Sequence, residues 1–245
     1  MSSVILPHAA IPKYYQLAVI LQGKIEAGEW APRSPIPSER QLELLYNVSR
    51  PTIRQAIEYL ITQGLLYREH GRGTFVSPEK LQKGLRELTS FTEDLVQRGI
   101  KPGQVIRSIE KVVPPDAILQ RLELPAGSTV TRIDRIRLGD QTPIGLQTSY
   151  IALSEVQEIT FEDMEKTGSL YRILEEKFNL IPTEADETLE VTLANREEAT
   201  LLEINEGSPL LLSERLTFTQ NRRPIEFVHI LYRGDRYRYY TRLKR

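Results

Sequence analysis

Arg135 and Arg137 are the residues of this chain best suited to binding an anion. They stand two positions apart in a segment with an extended pattern, and residues i and i+2 of a β-strand share one face of a sheet. Each guanidinium group carries a planar fork of donors that matches a carboxylate or a phosphate. The pair therefore predicts an anion clamp, although two such arginines are also common on a solvated strand face.

Hydroxyl residues stand at the start of two predicted helices. Thr89, Ser90 and Phe91 precede one helix, and Ser169 opens the other directly after Gly168. Hydroxyl groups and amides at a helix N-terminus suit phosphate or carboxylate oxygens. The same residue types also act simply as helix caps, so these positions either extend the anion site or only begin their helices.

The N-terminal third carries a different set of signals. Ser38 and Gln41 form a capping box at one helix start, and Ser49 offers a second N-cap 11 residues later. This spacing predicts two helices that meet at a tight turn. Two short extended segments around a turn with Gly71 and Gly73 follow, and together these elements predict a winged helix-turn-helix.

In such a unit, the second helix enters the major groove of DNA with its N-terminal residues toward the base edges, and the first helix crosses the backbone. The glycines allow the wing backbone to approach the minor groove. Any single surface arginine is more often just solvated, but the combined pattern favours DNA binding. The candidate contacts are Arg40, Ser49, Arg50, Pro51, Thr52, Arg54, His70, Gly71 and Arg72.

The remaining chain alternates between extended and short helical segments, which predicts an α+β fold. The extended candidates are residues 105–113, 129–138, 143–151, 184–193, 209–219 and 224–232, and the helical ones are 89–98, 116–122, 169–178 and 196–204. Residues 110–138 also align without a gap on residues 190–218. This internal repeat predicts a duplicated half around one antiparallel sheet.

Composition excludes several classes of site. The 245 residues include no cysteine, which excludes disulfides, thiolate metal sites and cysteine nucleophiles. His8, His70 and His229 lack the spacing of paired metal ligands, so we expect neither a metal nor a cofactor. No run approaches the ~20 apolar residues of a membrane span, and the N-terminus lacks the features of an export signal. We expect a cytoplasmic protein without membrane contact.

Charge gives only local support for nucleic-acid binding. The net charge is -1, with Lys+Arg 32 against Asp+Glu 33. Residues 1–78 hold 8 basic and 6 acidic residues, a net of +2, which leaves 24 basic and 27 acidic residues for the rest of the chain.

The last segment, 233–245, interleaves tyrosines with basic residues. That alternation fits either single-stranded nucleic acid or a final edge strand with one aromatic face, and the strand is the simpler interpretation.

These motifs resemble the DNA-binding domain of GntR-family transcription regulators. The matching pieces are residues 37–40, 48–56, 64–66 and 71–76. The rest of the chain resembles the HutC subfamily, whose UTRA effector domain has a chorismate-lyase-like fold. Residues 88–94, 135–137, 169–171 and 232–237 carry that part of the resemblance.

The resemblance implies roles for residues at both sites. At the DNA side, Arg40, Arg50, Thr52, Arg54 and Gly71 correspond to DNA-contacting positions, and the family implies a homodimer on a palindromic double-stranded operator. At the effector side, it implies a phosphate-binding set of Thr89, Arg135, Arg137 and Ser169, with Glu226 and Tyr232 at the polar end of the ligand. The full effector set is Thr89, Ser90, Phe91, Arg135, Arg137, Gln147, Ser169, Tyr171, Glu226 and Tyr232.

Gln147 departs from this pattern, because many relatives show an acidic residue there. A glutamine donates as well as accepts, so the ligand's hydroxyl pattern is expected to differ.

The sequence thus predicts a winged helix-turn-helix in residues 1–76, a linker and hinge in 77–88, and an antiparallel-sheet UTRA domain for effector binding and dimerisation in 89–245. We expect a DNA-binding transcription regulator, and a repressor before an activator. A small anionic metabolite, such as an amino-sugar phosphate or another sugar phosphate, is expected to control it. The alternative is an enzyme whose chorismate-lyase-like domain acts on a small carboxylate. Glu226 is the one acid we would nominate for it, and no catalytic residue is assigned.

Overall fold

The computed structural model describes residues 11–69, 71–77, 81–84, 88–154 and 156–240, with the side chains of 81–84 and 240 excepted. The chain divides into two compact units, residues 1–79 and 80–245. Each unit has its own apolar core. Among the described residues, no helix is both long enough and apolar enough to cross a membrane.

The described residues of the N-terminal unit form three helices and a hairpin. The helices are α1 (Lys13–Glu26), α2 (Glu39–Tyr46) and α3 (Arg50–Thr62), and the hairpin pairs β1 (Leu66–Glu69) with β2 (Gly73–Val76) in antiparallel register. This is the winged helix-turn-helix order that the capping signals predict.

Local sequence explains the turn between α2 and α3. Both hydrogen bonds of the Ser38–Gln41 capping box are present at the start of α2. Asn47 ends that helix with φ 50°, a left-handed conformation that asparagine tolerates better than most residues. The helices pack through fully buried residues of all three, among them Leu21, Leu42 and Ile53.

The second unit is built on a six-stranded antiparallel sheet. Its strand order is β4-β5-β6-β9-β8-β7. The strands are β4 (Pro102–Val112), β5 (Val130–Gly139), β6 (Thr142–Ile151), β7 (Pro182–Leu193), β8 (Pro209–Thr219) and β9 (Pro224–Arg233). The helices are α4 (Phe91–Gln97), α5 (Asp116–Arg121), α6 (Phe161–Thr167), α7 (Leu170–Phe178) and α8 (Arg196–Leu202). The predicted α+β fold is confirmed.

Helices cover both faces of this sheet. On one face, Leu95 of α4 packs near Val228, and Met164 of α6 and Leu174 of α7 pack with Ile133. On the other face lie α5 and α8. Leu119 of α5, Leu122 directly after it and Leu202 of α8 pack against alternate strand residues such as Val130, Leu210 and Phe227. Alternating side chains of each strand thus supply two cores.

The sheet consists of two equivalent halves, as the internal repeat predicts. β4, α5, β5 and β6 form one half, and β7, α8, β8 and β9 follow the same order in the other, with β6 paired to β9 at the centre. Backbone details repeat as well. Glu123 and Glu203 have φ of 54° and 55°, and Gly127 and Gly207 have φ of 79° and 77°.

Three features differ from the sequence prediction. A strand, β3 (Leu81–Gly84), lies within the stretch 77–88 that was expected to be linker. It pairs in parallel with β10 (Tyr237–Tyr240), so β10 belongs to a separate two-stranded sheet and does not lie at an edge of the main one. Helix α6 was not predicted. The pairing of β3 with β10 joins segments far apart in sequence, and such pairing leaves no local signal.

The left-handed glutamates provide a test of the backbone conformation that the two halves share. A non-glycine residue in this conformation costs roughly 1–2 kcal/mol, so we expect Glu123→Gly and Glu203→Gly each to raise the free energy of unfolding by about 1 kcal/mol. Thermal denaturation should show a rise of roughly 2–4 °C for each. The control Glu197→Gly, inside α8, should lower stability by about 1 kcal/mol. Loss of stability in either left-handed variant would contradict the interpretation.

Candidate functional site

The residues predicted for effector binding all line one cavity of the second unit. The cavity measures about 560 Å³, counting the space at its mouth. It lies over the face of the sheet that α4 and α7 cover. The predicted residues in its wall are Thr89, Ser90, Phe91, Arg135, Arg137, Gln147, Ser169, Tyr171, Glu226 and Tyr232.

Strand register brings the cavity floor together. Arg135 on β5 lies across from Gln147 on β6, which lies across from Ile230 on β9. One step along, Arg137 lies across from Gly145, which lies across from Tyr232. A Cβ atom at Gly145 would lie 3.2 Å from Cδ1 of Tyr232, so a glycine here makes room for that ring.

Both arginines of the predicted clamp are buried. Arg135 is 3% and Arg137 2% exposed. Oε1 of Gln104 accepts a hydrogen bond from Nη1 of each, at 3.3 and 2.8 Å, and the Arg137 guanidinium lies 3.9 Å from the Phe91 ring centroid. The alternative of a solvated arginine face is therefore wrong.

Their charge is incompletely compensated. In the described part of the chain, neither arginine forms an ion pair, and Nε of each is buried without a hydrogen-bond partner. Burial lowers the pKa of Arg135 to about 10. Burial, and then the proximity of Arg135, lower the pKa of Arg137 well below its usual value. Such a pair favours any anion that supplies the missing acceptors.

The serines at the helix starts act as caps. Ser90 Oγ accepts from the Glu93 amide at 3.2 Å, and Ser169 Oγ accepts from the Arg172 amide at 3.4 Å. Thr92 Oγ1 donates to the Gly168 carbonyl at 2.9 Å, which ties the beginning of α4 to the segment before α7. The two helix starts therefore meet at the cavity, with their serines already engaged in capping.

Another part of the cavity wall carries a carboxyl group and two phenols. Glu226 is 1% exposed, and burial raises its pKa although Arg135 opposes the change. Burial also raises the pKa of Tyr232 to about 12 and that of Tyr171 well above its usual value. Both phenols are therefore protonated at neutral pH and can donate as well as accept hydrogen bonds.

Sequence reasoning missed several residues of the wall. Asp94 pairs with Arg98 and accepts a hydrogen bond from the Tyr237 hydroxyl at 3.0 Å. Tyr237 in turn stacks on Tyr232, with ring centroids 3.9 Å apart. Arg215 also lines the cavity, and its alignment with Arg135 in the internal repeat was a usable signal. The additional residues are Thr92, Asp94, Leu170, Ser213, Arg215, Val228, Ile230 and Tyr237.

The predicted DNA-contacting residues lie around the start of α3. Arg40, Ser49, Arg50, Pro51 and Arg54 are exposed and Thr52 is half-buried. Glu39 at the start of α2 holds Nε of Arg50 at 3.0 Å and that of Arg54 at 3.8 Å. The Ser49 hydroxyl bonds the Thr52 hydroxyl at 2.9 Å, and no backbone cap forms. A surface with several cations thus surrounds the helix N-terminus.

The wing tip is also exposed. Gly71 has φ 72° and Gly73 φ 127°, conformations that glycine adopts without strain. Arg72 pairs with Glu69 and lies 5.7 Å from the centroid of the Phe75 ring. His70 lies outside the described residues. Among those the structure describes, no cluster of three or more His, Cys, Asp or Glu side chains could hold a metal ion.

Family comparisons cover both units. A model of the UTRA domain matches residues 97–238. A second model, described as bacterial regulatory proteins of the gntR family, matches residues 13–76.

Similar proteins extend over nearly the whole chain. The HTH-type transcriptional repressor NagR of Bacillus subtilis is 38% identical over 228 residues, which are 93% of each chain. The probable fructoselysine utilization operon transcriptional repressor of Shigella flexneri is 31% identical and covers 89% of this chain and 86% of its own. The crystal structure of PhnF from Mycobacterium smegmatis is 25% identical, with a TM-score of 0.62 over 94% of this chain and 98% of that one.

The buried arginines predict a gain of stability when one is removed. We expect Arg137→Met to stabilise the ligand-free chain by roughly 1–3 kcal/mol, because a buried charge without an ion pair is replaced by an apolar side chain of similar length. Thermal denaturation in a buffer free of polyvalent anions measures this. The control Arg172→Met, at an exposed position on α7, should change stability by less than about 0.5 kcal/mol. A less stable Arg137→Met would show that the arginine contributes to the fold.

Proposed function

The chain belongs to the GntR family of bacterial regulatory proteins, in its HutC subfamily with a UTRA domain, and on this premise we propose that it is a repressor. It binds a palindromic operator as a homodimer, in the cytoplasm where the chromosome lies, and a small anionic metabolite controls its affinity. The observation that carries the effector proposal is the pair of buried arginines, without an ion pair among the described residues, in the cavity wall.

We propose a sugar phosphate as the effector, with an amino-sugar phosphate as the first candidate. A phosphate has enough acceptor oxygens for both guanidinium groups, while the tyrosine hydroxyls and Gln147 suit the hydroxyl groups of a sugar. The relative named for fructoselysine utilization supports a sugar-related ligand. Gln147 also donates a hydrogen bond to Ser149 Oγ at 3.0 Å. A sugar hydroxyl group bound at Gln147 would contact a side-chain amide instead of a carboxylate.

The DNA contacts we propose follow from the exposed surface at α3. Arg50 and Arg54 lie where a recognition helix faces base edges, and Arg40 lies where the preceding helix faces the phosphate backbone. Arg72 supplies positive charge at the wing. A two-fold symmetric dimer presents two such surfaces, and a palindromic operator matches that symmetry.

Effector control requires a connection between the cavity and the start of the effector unit. Tyr232 in the cavity wall stacks on Tyr237 of β10, and β10 pairs with β3, which begins soon after the DNA-binding unit ends. We propose that the ligand biases the position of this pair of strands, and through it the segment that leads to the DNA-binding unit.

Arg50→Ala tests the DNA proposal. We expect it to weaken binding to the operator about 10- to 100-fold, because a base contact of this kind is worth roughly 1–3 kcal/mol, and to weaken binding to a scrambled duplex much less. Fluorescence anisotropy with both duplexes measures the difference, and Lys13→Ala on α1 is the control. With ~6 to 10 phosphates neutralised, log K should fall with log salt at a slope of about -5 to -9. Equal losses of affinity for the operator and for the scrambled duplex would show that Arg50 does not recognise bases.

A thermal-shift screen tests the effector proposal. At about 100 times its Kd, a sugar phosphate should raise the melting temperature by roughly 5 °C or more, and its unphosphorylated parent should not. The shift should vanish in Arg137→Met and persist in Arg172→Met. A shift with small carboxylic acids alone would refute the phosphate assignment. Product analysis after incubation with chorismate and related acids covers the enzymatic alternative, since turnover would overturn the proposal of a regulator without catalysis.

A further inference from the structure

The two halves of the sheet place an arginine at equivalent positions, but the neighbours of these arginines differ. Arg135 on β5 and Arg215 on β8 are related by the internal repeat, and both line the cavity. Across from Arg135 stands Ile106 on β4, whereas across from Arg215 stands Glu187 on β7. The duplication therefore supplies two cations, and the outer strands determine which of them has a counter-ion.

Glu187 neutralises Arg215 directly. Nη2 of Arg215 lies 2.9 Å from Oε1 of Glu187, and these side chains are only 12% and 16% exposed. The same carboxylate oxygen accepts hydrogen bonds from Ser213 Oγ at 2.6 Å and from the Tyr239 hydroxyl at 2.9 Å. These bonds fix the carboxylate next to Arg215, so the pair contributes little net charge to the cavity.

At Arg135 and Arg137 no carboxylate forms a direct ion pair among the described residues. Their hydrogen-bond acceptors there are the neutral side chains of Gln104 and Ser149, while buried Glu226 interacts with Arg135 without an ion pair and burial raises the pKa of its carboxyl. Charges act more strongly on each other in a buried site than in water. A direct ion pair at Arg215, and none at Arg135 or Arg137 in the described part of the chain, therefore leaves more positive charge at the Arg135 and Arg137 end.

We infer that Glu187 determines the charge specificity of the cavity, which accepts a ligand with one anionic group at Arg135 and Arg137 and rejects a ligand with a second anionic group at the Arg215 end. Monophosphates are accepted and bisphosphates are excluded. This inference rests on the proposed function in that the cavity is taken as the effector site. It adds the number of charges that the ligand carries and the residue that limits it.

Crystals of the full chain soaked in tungstate, a tetrahedral oxyanion with a strong anomalous signal, provide the first test. Wild-type protein should show an ion at Arg135 and Arg137 and none at Arg215. Glu187→Gln keeps the size of the side chain and removes its charge, so it should show a second ion at Arg215. Glu184→Gln, on the same strand with an exposed ion pair to Arg222, is the matched control and should resemble the wild type.

Titration calorimetry with a hexose 6-phosphate and a hexose 1,6-bisphosphate tests the inference in solution. Wild-type protein and Glu184→Gln should bind the bisphosphate at least about 10-fold more weakly than the monophosphate, because its second phosphate meets a neutralised arginine. Glu187→Gln should bind the bisphosphate about 10- to 100-fold more tightly than wild type does and change little toward the monophosphate. The double variant Glu187→Gln/Arg215→Gln should lose that gain.

The outcomes separate the inference from the function on which it rests. An ion at Arg215 in the wild type, or no second ion in a folded Glu187→Gln, overturns the role of Glu187. Equal wild-type affinity for both sugar phosphates overturns it even if the variant does not fold. Absence of an ion at Arg135 and Arg137 would instead refute the proposed effector site, while the state of Arg215 would still decide the role of Glu187.

Discussion

The burial of two guanidinium groups next to each other is the constraint on which the effector domain depends. Arg135 and Arg137 have left water for a site in which Gln104 and the face of Phe91 replace only part of their hydration. β5 places both side chains on one face of the sheet, where each is almost fully buried. These donors, without an ion pair among the described residues, are suited to an anion, and the apolar cores on both faces of the sheet offset the cost of burying them.

The surrounding elements limit what can enter. Thr92 holds the starts of α4 and α7 together above the arginines, while the stacked Tyr232 and Tyr237 close another side. Asp94 also lines the cavity; burial raises its pKa, and Arg98 partly opposes that shift. The wall of the cavity and the attachment of β10 therefore share the same side chains. Tyr237 and Tyr239 of the C-terminal segment therefore pack against Tyr232.

Local signals predicted much of this arrangement. The i, i+2 spacing of Arg135 and Arg137 places both on one face of a strand. The capping residues Ser38 and Ser90 mark the starts of two helices. Burial of the arginines could not be predicted, because it depends on helices that cross the sheet from distant parts of the sequence. The same holds for the pairing of β3 with β10, which placed a strand in the expected linker. The internal repeat aligns Arg215 with Arg135, yet Arg215 was not predicted to line the site, and only the register across β7 and β8 shows Glu187 beside it.

The central pairing of β6 with β9 also has a consequence for how the domain folds. Within each half, neighbouring strands are close in sequence, joined by a tight turn or by one short helix. Only the ladder between β6 and β9 connects the halves of the main sheet. Contacts between nearby residues form faster than those that close long loops. We therefore expect each half to gain structure largely independently, and the docking of the halves along this ladder to be the slower, entropically more costly step.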